Sequence, residues 1–177
     1  MPDVSRIMPT LVQTLELNIF LSSADEVLEE RTQLAGLIEE INGALAASAS
    51  RIRVRAQMWE SLSGFRSNER VNQDIINLLL APSSLAIVIL GSHLKEGTKE
   101  ELDFALAGDM ELVVLALDPK RRAAAVSAAL ERVANAGVMY MDQRRLGLPA
   151  DRLLLRSIVG RVIDLVCLER ENHVERR

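Results

Sequence analysis

The chain has 177 residues, 49% of them hydrophobic, which is enough for one domain to bury a core. Its 21 basic and 25 acidic residues give a formal net charge of −4, so the cationic excess of a nucleic-acid-binding protein is missing and no nucleic-acid partner is expected. The single cysteine, Cys167, excludes an internal disulfide, and with His93 and His173 it forms no metal-ligand pattern, so no metal site is predicted and a reducing cytoplasm is expected. No apolar run is long enough to cross a bilayer, and no membrane partner is expected.

The first half of the chain alternates strand and helix patterns. Residues 16–21 have strand character, and Ser23 followed by Glu26 has the spacing of a capping box at the start of a long amphipathic helix. Residues 52–59 predict a second strand, which leads into a polar loop up to residue 68. A second helix then ends at Pro82.

The second half continues the alternation. Residues Leu85–Leu90 form an uninterrupted apolar run, which is typical of a central parallel strand covered on both faces. The later predicted elements are a helix at 98–107, a strand at Glu111–Leu117, a helix at 121–135, a strand at 138–141 and a helix at 152–168.

Strict alternation with short connections predicts a parallel sheet between two layers of helices. At this size we expect a three-layer, doubly wound, five-stranded sheet in the flavodoxin-like order 2-1-3-4-5. The predicted division of the chain is an N-terminal extension at 1–15, one α/β domain at 16–168 and a charged tail at 169–177.

Ligands of such sheets bind at the carboxyl ends of the strands, near the point where the strand order reverses. Here those ends carry residues 20–23, 59–60 and 91–98. No glycine-rich phosphate loop follows the first strand, and Ser22, Ser23 and Gly91 occupy the positions where a phosphorelay receiver needs acids. Both of those classes are therefore excluded.

The run Gly97-Thr98-Lys99-Glu100-Glu101-Leu102 resembles the short motif in which Toll/interleukin receptor (TIR) domains and nucleoside 2-deoxyribosyltransferases place a glutamate. The residues at 20–31 and 59–60 also look like those of bacterial TIR-like domains. The chain departs from the pattern in having Gly97-Thr98 where TIR domains often have Trp-Cys, and Ser83-Ser84 where many relatives have an aspartate.

The resemblance implies an NAD-consuming enzyme that releases nicotinamide by hydrolysis or cyclisation of NAD, with Glu101 as the catalytic carboxylate, NAD as substrate and no prosthetic group. It also implies self-association and a role in bacterial antiviral defence or signalling. On a helix that begins at Thr98, the helical spacing places Glu101 at the rim of the buried side and Glu100 on the opposite, solvated side. The expected substrate-binding residues are Phe20, Ser22, Ser23, Arg31, Trp59, Glu60, Gly91, Gly97 and Thr98.

Several alternatives stay open at the level of sequence. Thr98 and Glu101 also have the spacing of a capping box, in which case the protein could be a non-enzymatic TIR-type interaction module. Nucleoside deoxyribosyl transfer or nucleotide N-glycoside hydrolysis is favoured if Glu96 or Glu60 reaches a base, because such a base needs a proton on leaving. Arg31 could pair with a carboxylate, Trp59 could belong to the core, and His93 could be a solvated loop residue.

Overall fold

The computed structural model describes residues 15–47, 52–58, 76–78, 80–108, 110–138 and 140–143, together with residues 156, 160 and 164. Five strands form one parallel sheet in the order β2-β1-β3-β4-β5, which confirms the predicted flavodoxin-like architecture. The strands are β1 (Leu15–Ser23), β2 (Ile52–Gln57), β3 (Leu85–Leu90), β4 (Glu111–Leu117) and β5 (Tyr140–Gln143), and the helices are α1 (Leu28–Ala47), α2 (Glu96–Ala107) and α3 (Ala124–Asn135).

The central strand β3 has the bounds that its apolar run predicts, and all six of its residues are buried. It pairs with β1 on one side and β4 on the other. A parallel strand in this position is covered by helices on both faces, so it needs apolar side chains at every position.

Side-chain alternation along the strands divides the core into two halves. Leu17, Ile19 and Leu21 of β1 belong to the cluster that packs against α1. On the other face, Phe20 lies in a cluster with Leu80, Ala86 and Ala105, while β3 and β4 also contact α2 and α3 through a further apolar cluster. The sheet therefore lies between two helical layers.

Helix α1 is anchored to β2 by a side-chain amide. Asn42 donates from Nδ2 to the carbonyl of Val54 at 2.7 Å and accepts the N–H of Val54 at 2.8 Å. The amide thus pairs both backbone groups of Val54 in the edge strand β2. This contact fixes α1 over the β1–β2 side of the sheet.

Several predicted bounds are wrong by two or three residues, and local turns explain two of them. Helix α3 begins at Ala124, after a turn in which Arg121 N–H bonds to the carbonyl of Asp118 at 2.9 Å. Strand β5 begins at Tyr140, because the N–H of Val138 bonds back to the end of α3 at 3.1 Å. The intervening Gly137 has a φ of 76°, which favours glycine.

Some predictions fall on residues outside the described part of the chain. These are the extension up to residue 14, the end of the second strand at residue 59, the loop at 61–68, most of the second helix and the tail at 169–177. Residues 76–78 and 80 are helical, and so are residues 156, 160 and 164, in agreement with the second and last predicted helices.

Candidate functional site

The carboxyl end of β1 carries two adjacent serines whose side chains point to opposite faces of the sheet. Ser22 follows Phe20 on the face covered by α2, and Ser23 follows Leu21 on the face covered by α1. Both are buried. The two hydroxyls, each of which is predicted to bind substrate, therefore lie on opposite sides of the sheet.

Ser22 donates a hydrogen bond from its hydroxyl to Oε2 of Glu101. Ser22 is 1% exposed and Glu101 is 6% exposed, so the pair is shielded from solvent by the protein. The chain brings them together because β1 ends beside β3, and the loop after β3 starts α2. A carboxylate thus lies at the carboxyl edge of the sheet, next to the reversal of strand order between β1 and β3.

Glu101 lies on the sheet-facing side of α2 with Thr98, Leu102 and Ala105, which are also buried. This position is deeper than the rim predicted from helical spacing. The predicted solvated position of Glu100 is wrong, because Glu100 is half-buried and its Oε1 accepts a hydrogen bond from Nδ2 of Asn77 at 3.0 Å. The two neighbouring glutamates therefore have different partners.

The capping-box interpretation of Thr98 and Glu101 is wrong. Helix α2 begins at Glu96 with Lys95 at the N-cap position, so Thr98 lies within the first turn. The first turn begins earlier than predicted because the N–H of Lys99 already bonds to the carbonyl of Lys95 at 2.9 Å. Gly97 lies in the same turn, half-buried.

The capping box predicted at Ser23 and Glu26 is also wrong. The chain first forms a short 3-10 turn, Asp25–Val27, and α1 begins only at Leu28. Within the described part of the chain, the hydroxyl oxygen of Ser23 is buried and has no hydrogen-bond partner. Glu26 points away from it, toward the loop that follows β3.

Glu26 contacts this loop through both carboxylate oxygens. Oε1 accepts the backbone N–H of His93 at 2.9 Å, and Oε2 lies 3.3 Å from Nδ1 of the same histidine. The side chain of His93 is 72% exposed, so it is a solvated loop residue that also has a carboxylate partner. Gly91 lies below the contact, and a Cβ at that position would overlap the Glu26 carboxylate.

In the sequence, the spacing of Glu26 from Ser23 indicates a helix cap, so the contact of Glu26 with the loop after β3 was not predicted. No local pattern indicates a contact with a loop 67 residues away. The proximity of β1 and β3 in the predicted sheet was the signal that could have suggested it.

Arg31 is 1% exposed and lies in the first turn of α1. Its neighbour Glu30 is buried as well. Because α1 follows β1 directly, this turn lies at the carboxyl edge of the sheet, on the face opposite to Glu101. Its phosphate contact remains a prediction.

The other predicted site residues are distributed as follows. Phe20 is 1% exposed and packs in the core below Ser22, so its ring contributes to packing. Glu96 is exposed at the start of α2. Trp59 and Glu60 lie outside the described residues.

A groove of about 650 Å³ lies at the amino edge of the sheet, away from Ser22 and Glu101. It is lined by the start of β4, by Tyr140 and Met141 of β5, and by the loops that precede them. Among the described residues, no group of three or more His, Cys, Asp or Glu side chains could hold a metal ion. No helix in the described part of the chain is long and apolar enough to cross a membrane.

The strand order and the two helical layers define this chain as a flavodoxin-like α/β protein. No protein-family model matches the sequence, and no curated protein matches it. A solved structure of an oxidoreductase from Corynebacterium diphtheriae is similar over 88% of this chain and 98% of its own, with 15% identity and a TM-score of 0.53. This likeness supports the fold.

Two further solved structures have lower TM-scores. The CMP N-glycosidase of Clostridium botulinum aligns with 80% of this chain and 96% of its own, at 16% identity and a TM-score of 0.45. A response regulator from Colwellia psychrerythraea aligns with 82% of this chain and 98% of its own, at 12% identity and a TM-score of 0.40.

Proposed function

We propose that this protein is a TIR-like N-glycosidase that cleaves NAD and releases nicotinamide, with Glu101 as its catalytic residue. The observation that carries the proposal is the buried Glu101 carboxylate, held by the Ser22 hydroxyl at the carboxyl edge of the sheet. Its position agrees with the edge at which α/β sheets bind ligands.

The proposed reaction breaks the bond between C1′ of the ribose and the ring nitrogen of nicotinamide. The bonding electron pair leaves with the nitrogen, which turns the pyridinium into neutral nicotinamide. Glu101 stabilises the positive charge that develops on the ribose, or captures C1′ in an ester. Water then supplies the new C1′ oxygen and releases one proton, which yields ADP-ribose.

Ser22 is a positioning residue in this account. Its hydrogen bond to Oε2 sets the direction of the Glu101 carboxylate. A carboxylate held in a fixed direction can be placed beside the ribose carbon at which positive charge develops.

The leaving group favours NAD over a neutral nucleoside. Nicotinamide leaves NAD as a neutral molecule without being protonated, so one carboxylate is sufficient. A purine or pyrimidine nucleoside usually needs an acid at the base. Glu96, a candidate for that acid, is exposed at the start of α2.

The other side of the carboxyl edge offers groups for the remainder of the dinucleotide. Arg31 provides a buried positive charge in the first turn of α1, and Ser23 provides a buried hydroxyl oxygen. Guanidinium groups bind phosphate through planar pairs of N–H donors.

By resemblance, the setting is bacterial antiviral defence or signalling in the cytoplasm, with activity in a self-assembled form.

The test is to incubate the full chain with NAD, and separately with deoxynucleosides, and to measure free nicotinamide and free base by chromatography. Wild type is compared with Glu101→Ala over a range of protein concentrations, with light scattering to record assembly. We expect nicotinamide release by the wild type and its loss in the variant.

Other outcomes are equally informative. Release of bases from deoxynucleosides alone would favour a nucleoside N-glycosidase. No turnover of either substrate in the assembled protein would favour a non-enzymatic interaction module. Turnover that Glu101→Ala leaves unchanged would remove Glu101 from its proposed role.

A further inference from the structure

The contact between Glu26 and the loop after β3 has the composition of an anion-binding site. The carboxylate of Glu26 is bound by a backbone N–H at 2.9 Å and lies 3.3 Å from an imidazole nitrogen, both belonging to His93. A carboxylate oxygen and a phosphate oxygen are the same kind of acceptor for such a backbone N–H. The loop therefore binds an anionic oxygen, which in the structure belongs to the protein itself.

Gly91 lies directly against the Glu26 carboxylate. The described glycine with a positive φ is Gly137, so the backbone conformation of Gly91 does not require glycine. What requires it is close approach, since a Cβ on Gly91 would overlap Oε1 of Glu26. The absence of a side chain thus leaves room for an anion directly over the end of β3.

The position lies at the reversal of strand order. Glu26 reaches it from the turn after β1, while Gly91 and His93 follow β3. The loop between β4 and α3 lies beside residues 91–93, because the N–H of Ala123 bonds to the carbonyl of Ser92 at 2.9 Å. That loop also carries Lys120 and Arg121, both exposed, at the same edge of the sheet.

We propose that residues 91–93 form a phosphate subsite for a nucleotide, and that the Glu26 carboxylate occupies this subsite until a phosphate group displaces it. The inference rests on the proposed function and deepens it, because it names a second group, in addition to Arg31, that binds a phosphate of the same ligand. Glu26 is 31% exposed and on a short turn, so its side chain can rotate outward. Competition by the Glu26 carboxylate lowers the apparent affinity for phosphate, since the site is available only when Glu26 has left it.

The test uses inorganic pyrophosphate, which has no N-glycosidic bond and therefore reports on the subsite independently of catalysis. Binding to the full chain is followed by amide chemical shifts, with residues 91–93 as the expected location. Glu26→Ala removes the competing carboxylate, and we expect it to bind pyrophosphate about tenfold more tightly than wild type. Glu39→Ala, which removes an exposed acid from α1, is the charge-matched control and is expected to change little.

The second part of the pyrophosphate-binding test is a substitution of Gly91. Gly91→Ala conflicts with Glu26, so the informative protein is the double variant Glu26→Ala/Gly91→Ala, in which that conflict is absent. We expect the Cβ added at position 91 to occupy the space of the anion and to abolish the gain in affinity for pyrophosphate. Gly36→Ala is the control, because a Cβ at Gly36 meets no atom within 4 Å.

AMP and adenosine test whether the phosphate group of a nucleotide, and not its nucleoside, carries the gain. The Glu26→Ala gain should be present with AMP and absent with adenosine. A Glu26→Ala protein that binds pyrophosphate no more tightly than Glu39→Ala, or a double variant that keeps the gain, would overturn the subsite. So would shifts that map away from residues 91–93. A positive result combined with absent NAD cleavage would remove the proposed function and leave the subsite.

Discussion

The hydroxyl of Ser22, at the end of β1, donates a hydrogen bond to the carboxylate of Glu101 on α2, 79 residues later in the sequence. Both residues are buried. The direction of the carboxylate is therefore set by the end of β1, where Ser22 is paired in register with Val88 of β3. This geometry makes Ser22 testable separately from Glu101.

Substitution of Ser22 by alanine should lower kcat for NAD cleavage by about tenfold, the order expected for one hydrogen bond to a charged group. KM should change little, because the hydrogen bond orients the carboxylate and does not hold the substrate. Ser22→Thr retains the hydroxyl and should keep most of the wild-type kcat. Steady-state kinetics of the two variants measure the difference, and an equal loss in both, or a change in KM alone, would contradict the positioning role.

An ion-pair network joins α2 to α3 and predicts a pH dependence of stability. Burial raises the pKa of Asp103, but hydrogen bonds and charge from Arg132 and Lys99 outweigh it, and the net effect is a pKa below the ordinary value. A carboxyl group with a lowered pKa in the folded state stabilises the protein above its unfolded pKa of about 3.9. That contribution is lost as the pH falls through the folded pKa.

We therefore expect Asp103→Asn to be less stable than wild type at pH 7, with the difference shrinking as the pH falls below about 4. The group is partly exposed, so salt should weaken the difference as well. Urea unfolding of both proteins across this pH range measures the effect. A stability difference independent of pH would contradict it.

The side chain of Arg122 forms hydrogen bonds with the carboxyl ends of β4 and β5. Its guanidinium donates to the carbonyls of Leu117 at 3.1 Å and Ala116 at 2.9 Å, and from Nη1 to Asp142 at 3.2 Å. The Arg122 side chain is 9% exposed. Arg122→Ala leaves two strand-end carbonyls without these donors, and we expect a loss of about 2–3 kcal/mol in the free energy of unfolding.

The neighbouring Arg121 is the control for this substitution. It is exposed, so Arg121→Ala should change the unfolding free energy by less than about 0.5 kcal/mol. Urea unfolding of both variants makes the comparison. Equal effects of the two substitutions would show that the strand-end hydrogen bonds do not stabilise the fold.

Much of the fold could be predicted because the strands are strongly patterned. The bounds of β3 and β4 follow from their apolar runs, since a parallel strand covered on both faces buries mainly apolar side chains. Helix starts were harder to predict. Residues with capping spacing, such as Ser23 and Glu26, have more than one possible partner, and the tertiary contact with His93 decides between them.

The candidate site was only partly predictable for the same reason. The inward direction of Glu101 follows from helical spacing, but its contact with Ser22 depends on the packing of α2 against the end of β1. The separation of Ser22 from Ser23 depends on where β1 ends, and the strand continues two residues beyond its predicted end. Side-chain alternation then assigns the two serines to opposite faces.

The most direct measurement is the first-order rate of nicotinamide release from NAD by assembled Glu101→Gln and Glu100→Gln proteins, relative to wild type. The two substitutions remove the same charge from adjacent residues of α2. We expect Glu100→Gln to stay within a few-fold of wild type and Glu101→Gln to be slower by about 10²–10³-fold, the loss typical of one transition-state-stabilising group. Cleavage by Glu101→Gln at the rate of Glu100→Gln would contradict the assignment of catalysis to Glu101.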